Sequence, residues 1–172
     1  AFNQDNLKTV VKVLVTGNLG YVGKILTSKL IEKNIDVLGC DTGFYQYHLN
    51  SNDSKFTINK DIRDMDESDL KDCFAILHLA ALSNDPLGEI NPSLTNEINF
   101  LGTTHLAHIA KKAGVERFIY SSSCSTYGVN DEIVDENSEL SPITAYAKSK
   151  VDSEMELLKM KNNDFHPVIL RN

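Results

Sequence analysis

The chain has 172 residues and a formal net charge of −7, enough for one well-buried domain and marginal for two. An acidic balance argues against a nucleic-acid partner, and no apolar run approaches the ~20 residues of a membrane helix, so no membrane partner is expected. The three cysteines, Cys40, Cys73 and Cys124, make no CxxC, which points to neither zinc nor a disulfide framework and suits a reducing cytoplasm.

Ala1 to Lys8 is polar, lacks the apolar stretch of a signal peptide, and reads as a poorly ordered leader to a single unit over 9–172. Val10 to Thr16 is a continuous β-branched run, the pattern of a strand buried on both faces. Tyr21 to Lys33 then carries Val22, Ile25, Leu26 and Leu30 at helical spacing. Ile35 to Cys40 reads as the second strand and Phe56 to Ile58 as a weaker third. Asp66 to Asp72 suggests a short helix, with Asp66 and Glu67 in a first turn that favours acids. Ala75 to Ala80 is the fourth strand, and Asn91 to Ala113 contains a long helix that Gly114 can end. Arg117 to Ser121, a helix over Thr144 to Lys161, and a strand over Pro167 to Leu170 complete the pattern. The alternation implies an α/β fold of Rossmann type: a doubly wound, mostly parallel sheet with helices on both faces. Ligands of such sheets sit beyond the carboxyl ends of the strands.

The residues following those ends carry chemistry. After the first strand comes Thr16-Gly17-Asn18-Leu19-Gly20-Tyr21-Val22-Gly23, leading directly into a helix. Gly17 suits a tight turn, Gly20 a close approach of backbone to pyrophosphate, and Gly23 close helix–strand packing. Free amides at the helix start then face the anion. The second strand closes on Asp41, near the ~20-residue offset at which a carboxylate meets the adenosine ribose. It would accept from the 2′-hydroxyl and repel a 2′-phosphate, and no Arg follows closely, so NAD is expected over NADP. Tyr146 and Lys150 stand four apart on one helix face. A phenol near pKa ~10 is a poor base at neutral pH, but a neighbouring ammonium favours the phenolate, which can then take a proton from a substrate hydroxyl. Ser121 to Gly128 follows the fifth strand, where a hydroxyl could hydrogen-bond the reacting oxygen.

With these features in order, the sequence resembles the extended short-chain dehydrogenases/reductases of the NAD-dependent sugar epimerase/dehydratase family. The likeness runs from about Lys12 to Asn172 and includes Asp61-Ile62, His78-Leu79-Ala80-Ala81, and Asn99 with Gly102-Thr103. It implies that Tyr21 and Val22 line the pyrophosphate and that Asp61 and Ile62 meet the adenine. Leu79, Ala80 and Ala81 would pass under the cofactor with Asn99 nearby. Ser123 would be the triad hydroxyl, Tyr146 the base, and Lys150 a ligand of the nicotinamide ribose. The substrate would be a nucleotide-activated sugar, held largely by a C-terminal region that family members carry beyond the sixth strand. A homodimer through the helices at 91–113 and 144–161 is also implied.

Family dehydratases carry Asp and Glu directly after the triad hydroxyl, where this chain has Cys124 and Ser125. That departure favours 4-epimerisation or simple oxidoreduction over dehydration. A different class remains open, a non-catalytic NAD-binding sensor or scaffold, although a pure binder has no need of the Tyr/Lys pair. His78 reads as a satisfied near-core histidine. His105 and His108 lack partner ligands at a metal spacing. Asp131, Glu132, Asp135 and Glu136 read as a solvated loop.

Overall fold

The computed structural model describes residues 11–44, 56–83 and 85–172; the leader expected over 1–8, and Val10 at the expected start of the first strand, lie outside them. Six strands form one parallel sheet: β1 (Lys12–Thr16), β2 (Asp36–Asp41), β3 (Thr57–Asn59), β4 (Cys73–His78), β5 (Arg117–Ser122) and β6 (His166–Arg171), ordered β3-β2-β1-β4-β5-β6. Chain direction across the sheet reverses between β1 and β4, the switch point where the loops diverge and open a crevice. Val13, Val15, Val37 and Ala75 face one side, packed with Leu26 and Leu30 of α1 (Tyr21–Glu32). Leu14, Ile76, Phe118 and Tyr120 face the other, packed with Leu106 and Ala110 of α4 (Gly102–Lys112) and Leu157 of α5 (Ala145–Met160). This is the doubly wound arrangement anticipated from the alternation.

The differences from expectation have local causes. β4 begins at Cys73 and ends at His78; beyond it the Leu79 amide is shared between the carbonyl and the hydroxyl of Thr16, both at 3.2 Å, and the Ala80 amide turns to that hydroxyl at 3.3 Å. Glu67–Leu70 is a single 3₁₀ turn, and Asp66 lies outside it as the N-cap, in a reciprocal capping box with Asp69. The long helix expected over 91–113 is capped by Asn91, whose side chain accepts from the Leu94 amide. It runs as α3 (Pro92–Thr95), a π-helical stretch over Asn96–Leu101, and α4. The widening frees the Asn99 carbonyl, which accepts from the hydroxyls of Thr103 (2.5 Å) and Ser153 (3.1 Å). A short helix, α2 (Asp85–Ile90), has no counterpart in the sequence reading. It contains Pro86 and Gly88 and no apolar stripe, and packing holds it: Gly88 lies directly against Tyr146, and Glu89 accepts from the Ala145 amide at 2.7 Å.

Candidate active site

The crevice at the switch point is a cleft of about 720 Å³. Gly17 turns the chain out of β1 at φ +70°, with its amide on the Cys40 carbonyl at 2.8 Å. A Cβ there would sit 2.8 Å from the Ala80 nitrogen, so the turn and the loop after β4 touch backbone to backbone. Gly23 is tighter: a Cβ would lie 2.1 Å from the Gly17 carbonyl oxygen. Gly20, the N-cap of α1, offers no side chain to the first-turn amides, which leaves them available to an anion. Gly20 to Lys24 form one wall of the cleft.

Two carboxylates border the cleft beyond this turn. Asp41, at the end of β2, accepts from the amides of Leu19 (3.0 Å) and Gly43 (2.8 Å), and so ties the glycine turn to the neighbouring strand. Asp61 caps a 3₁₀ turn over Ile62–Asp64 and receives Nε and Nη2 of Arg63 at 3.0 and 2.9 Å. These bonds hold its carboxyl below the usual range. The opposite wall is the segment from Leu79 to Ser83. Asn99, 1 % exposed, braces it from behind, accepting from the Leu82 amide at 2.8 Å and donating to the Leu82 carbonyl at 3.1 Å.

His78 organises the base of both walls. The Thr16 oxygen takes two amides, so its proton must go to Nδ1 of His78, 2.6 Å away. His78 then carries its proton on Nε2 and donates to Thr103 at 2.8 Å, and Thr103 donates to the Asn99 carbonyl. This ring is neutral: burial, aided by the charge of Lys150, lowers its pKa to about 3. It is the satisfied core histidine expected.

At the far end of the cleft stand Tyr146 and Lys150 of α5, with Ser121 of β5. Thr144 starts this helix, its hydroxyl accepting from the Ala147 amide. Lys150 is 4 % exposed and donates to the Ser121 carbonyl at 2.8 Å. Its ammonium lies 5.5 Å from the centre of the Tyr146 ring and 4.7 Å from that of Tyr120. Burial lowers its pKa to about 8, with Glu154 pulling the other way. The Tyr120 phenol is pushed up by burial and stays protonated.

Of the residues singled out in the sequence, Gly17, Gly20, Tyr21, Val22, Gly23, Asp41, Asp61, Ile62, Leu79, Ala80, Ala81, Tyr146 and Lys150 thus line one cleft. Asn99 and Ser123 do not. Asn99 supports the wall, whereas Ser123 caps a 3₁₀ turn over Cys124–Tyr127, its oxygen accepting from the amide and hydroxyl of Ser125 at 3.2 and 2.9 Å. Thr16 and Thr103 stood in the quoted motifs without an assigned role, and Glu89, Glu154 and Arg171 were not assigned at all. Of these last three, Glu154 left a trace in the sequence, as an acid one further turn along the face that carries Tyr146 and Lys150. Among the described residues, no group of three His, Cys, Asp or Glu could hold a metal ion, and no helix is long and apolar enough to cross a membrane.

The sheet order and the glycine turn at its switch point define a dinucleotide-binding α/β unit of Rossmann type. Within that class, the chain belongs to the NAD dependent epimerase/dehydratase family, whose model matches residues 13–172. A putative UDP-glucose 4-epimerase of Methanocaldococcus jannaschii is 34% identical over 155 residues, covering 87% of this chain and 50% of that protein. The solved UDP-N-acetylglucosamine 4-epimerase from Methanobrevibacter ruminantium superposes with a TM-score of 0.86 at 29% identity, over 94% of this chain and 54% of its own. An NAD-dependent NDP-hexosamine 5,6-dehydratase of tunicamycin biosynthesis gives 0.87 at 26% identity, over 94% and 54%. The chain therefore spans about half the length of the relatives it matches.

Proposed function

We propose that this chain is the cofactor-binding and proton-transferring half of an NAD-dependent enzyme acting on a nucleotide-activated sugar, as a 4-epimerase or a related oxidoreductase. The carrying observation is that Tyr146 and Lys150 share one cleft with the glycine turn, the Lys150 ammonium 5.5 Å from the Tyr146 ring. The cleft fits the family's cofactor. Gly17 and Gly23 leave a cradle that a methyl group would fill, the uncapped amides of α1 suit a pyrophosphate, and Asp41 suits a free ribose 2′-hydroxyl. Asp61 and Ile62, which line the same cleft, are assigned to the adenine, and Leu79 to Ala81 to the floor beneath the cofactor. Bound in this cleft, NAD would supply the redox chemistry at the carbinol carbon of the sugar.

The protein's part is to move the proton. Tyr146 takes it from the sugar hydroxyl as its carbon is oxidised. The ammonium of Lys150 favours the phenolate that this requires and is assigned as a ligand of the nicotinamide ribose. Ser123 is assigned as the hydroxyl facing the same oxygen; its Oγ accepts from Ser125 and keeps its own proton to donate. Cys124 and Ser125 provide no acid–base pair for eliminating water, which favours epimerisation or oxidoreduction over dehydration. The outer faces of the π stretch and α5 leave Leu101, Met155 and Leu158 about half exposed, which supports a second copy packing there.

The test is Tyr146→Phe in the full-length protein with UDP-hexoses as substrates. Turnover is expected to fall at least ~10³-fold, with NAD affinity by calorimetry within about twofold of the unaltered protein. Turnover that survives this change removes Tyr146 as the base.

A further inference from the structure

Three successive residues at the end of β5 are held in three ways. Ser121 gives its carbonyl to Lys150 at 2.8 Å, Ser122 donates its hydroxyl to Oε1 of Glu154, and Ser123 caps the following turn. Lys150 and Glu154 lie one helical turn apart on the buried face of α5, so one helix face grips two neighbouring residues of the strand end. Glu154 is 2 % exposed, and Arg171 of β6 engages it from the other side, through Nε at 3.2 and 3.1 Å and Nη2 at 2.7 Å. The same guanidinium reaches further. Nη1 donates to the Tyr127 hydroxyl at 3.1 Å and the Glu136 carbonyl at 3.3 Å, and the group lies 5.2 Å from the Tyr127 ring centre. The turn that carries Ser123 is thereby fastened at its start through Ser122 and at its end through Tyr127, both to one ion pair.

Burying such a pair adds little stability, because desolvation offsets most of the attraction and apolar side chains could fill the same space. Apolar side chains could not orient the Ser122 hydroxyl, nor place a charge beside Lys150. We infer that Glu154 and Arg171 are positioning residues that hold the Ser123 turn in register with Tyr146 and Lys150 and balance the charge at the proton-transfer site. This inference rests on the catalytic reading of Tyr146 and Lys150 given above.

The groups facing Lys150 are Tyr120 of β5, Tyr146 and Glu154 of α5, and His78 of β4, with Arg171 of β6 behind Glu154. Glu154 is the carboxylate that favours the Lys150 ammonium. Removing its charge makes both Lys150 and the Tyr146 phenol release protons at lower pH. Removing Arg171 leaves that charge uncompensated and does the reverse.

The experiment follows kcat against pH, and NAD affinity by calorimetry, in the full-length protein carrying Glu154→Gln, Arg171→Met, Arg171→Lys or the double change Glu154→Gln/Arg171→Met. The profile is expected to move to lower pH in Glu154→Gln and to higher pH in Arg171→Met, each by about half a unit or more. The double variant is expected to return to the original position with kcat still down about tenfold, because the turn has lost its fastening. Arg171→Lys restores the position of the profile but not the full rate, since lysine cannot bond Glu154 and Tyr127 together. NAD affinity stays within about twofold throughout. If Arg171→Met does not fold, Glu154→Gln against the double variant carries the same contrast. Profiles that stay fixed, or that move the same way in both single variants, overturn the inference, as does a loss of NAD affinity that parallels the loss of kcat. Tyr146→Phe measured alongside separates the two levels. Turnover without the phenol removes the catalytic reading, whereas an inactive Tyr146→Phe with unmoved Glu154 and Arg171 profiles removes only the positioning role.

Discussion

The two ends of the cleft are built from different materials. The glycine-turn end is backbone: Gly17 against Ala80, Gly23 against Gly17, and uncapped amides at the start of α1. The Tyr146 end is made of side chains of α5, β5 and β6, held by one another and, for Lys150, by the Ser121 carbonyl. A backbone wall has no rotamers to adjust, so a single added methyl blocks it. A side-chain wall can be retuned, and its failures should be graded and dependent on pH.

The sharpest way to break this contrast is Gly23→Ala, whose Cβ would lie 2.1 Å from a carbonyl oxygen in a turn with no slack. NAD affinity is expected to fall about 100-fold or more, about 2.7 kcal/mol, by calorimetry. If affinity survives, the turn is more pliable than its contacts indicate and the contrast fails.

His78 lies between the two ends and answers to pH. The unfolded chain takes up a proton near pH 6.5, whereas the folded protein keeps this ring neutral down to about pH 3. Its contribution to stability is therefore complete above pH 6.5 and is lost as pH falls from there toward 3. Between pH 6.5 and 5 it should cost about 1.5 kcal/mol. Urea unfolding at the two pH values checks this, and the part of the slope due to His78 should vanish in His78→Gln.

Asp41 tests whether a side chain at the backbone end acts by charge. Asp41→Asn can still accept the amides of Leu19 or Gly43 but no longer repels a 2′-phosphate. The preference for NAD over NADP should narrow about fivefold, near 1 kcal/mol, by parallel titrations. The smallest effect is expected at the exposed Cys124. Cys124→Ser should change kcat by less than about twofold, because no role falls to the thiol itself; a large loss would bring that thiol into the chemistry.

Much of this architecture was legible in local patterns. Six strands and three main helices follow from β-branched runs and helical periodicity, and the edges of β1, β2, β5, β6, α1 and α5 shift by at most two residues. The glycine turn was legible because its demands are local: a left-handed φ at Gly17 and helix packing at Gly23 are met within eight residues. α2 was not, since a six-residue helix containing Pro86 and Gly88 has no pattern of its own and exists by packing on α5. The break in the long helix was hidden as well. Nothing in Asn96 to Leu101 marks a π turn until Thr103 and Ser153 are seen to need the Asn99 carbonyl.

The placement of Ser123 shows the boundary most clearly. Its position after a strand was written in the chain, but its hydroxyl turns to Ser125, and what fastens its turn is an ion pair between residues 154 and 171. Local order encoded the strands, the helices, the turn from Gly17 to Gly23 and the one-face spacing of Tyr146 and Lys150, because each depends on neighbours within a few residues. The bracing of Thr16 by His78, of the Leu82 loop by Asn99, and of the β5 end by Glu154 joins residues 17 to 62 positions apart. Such pairings depend on strand order and helix phase, which exist only once the sheet has closed and the helices have docked on it.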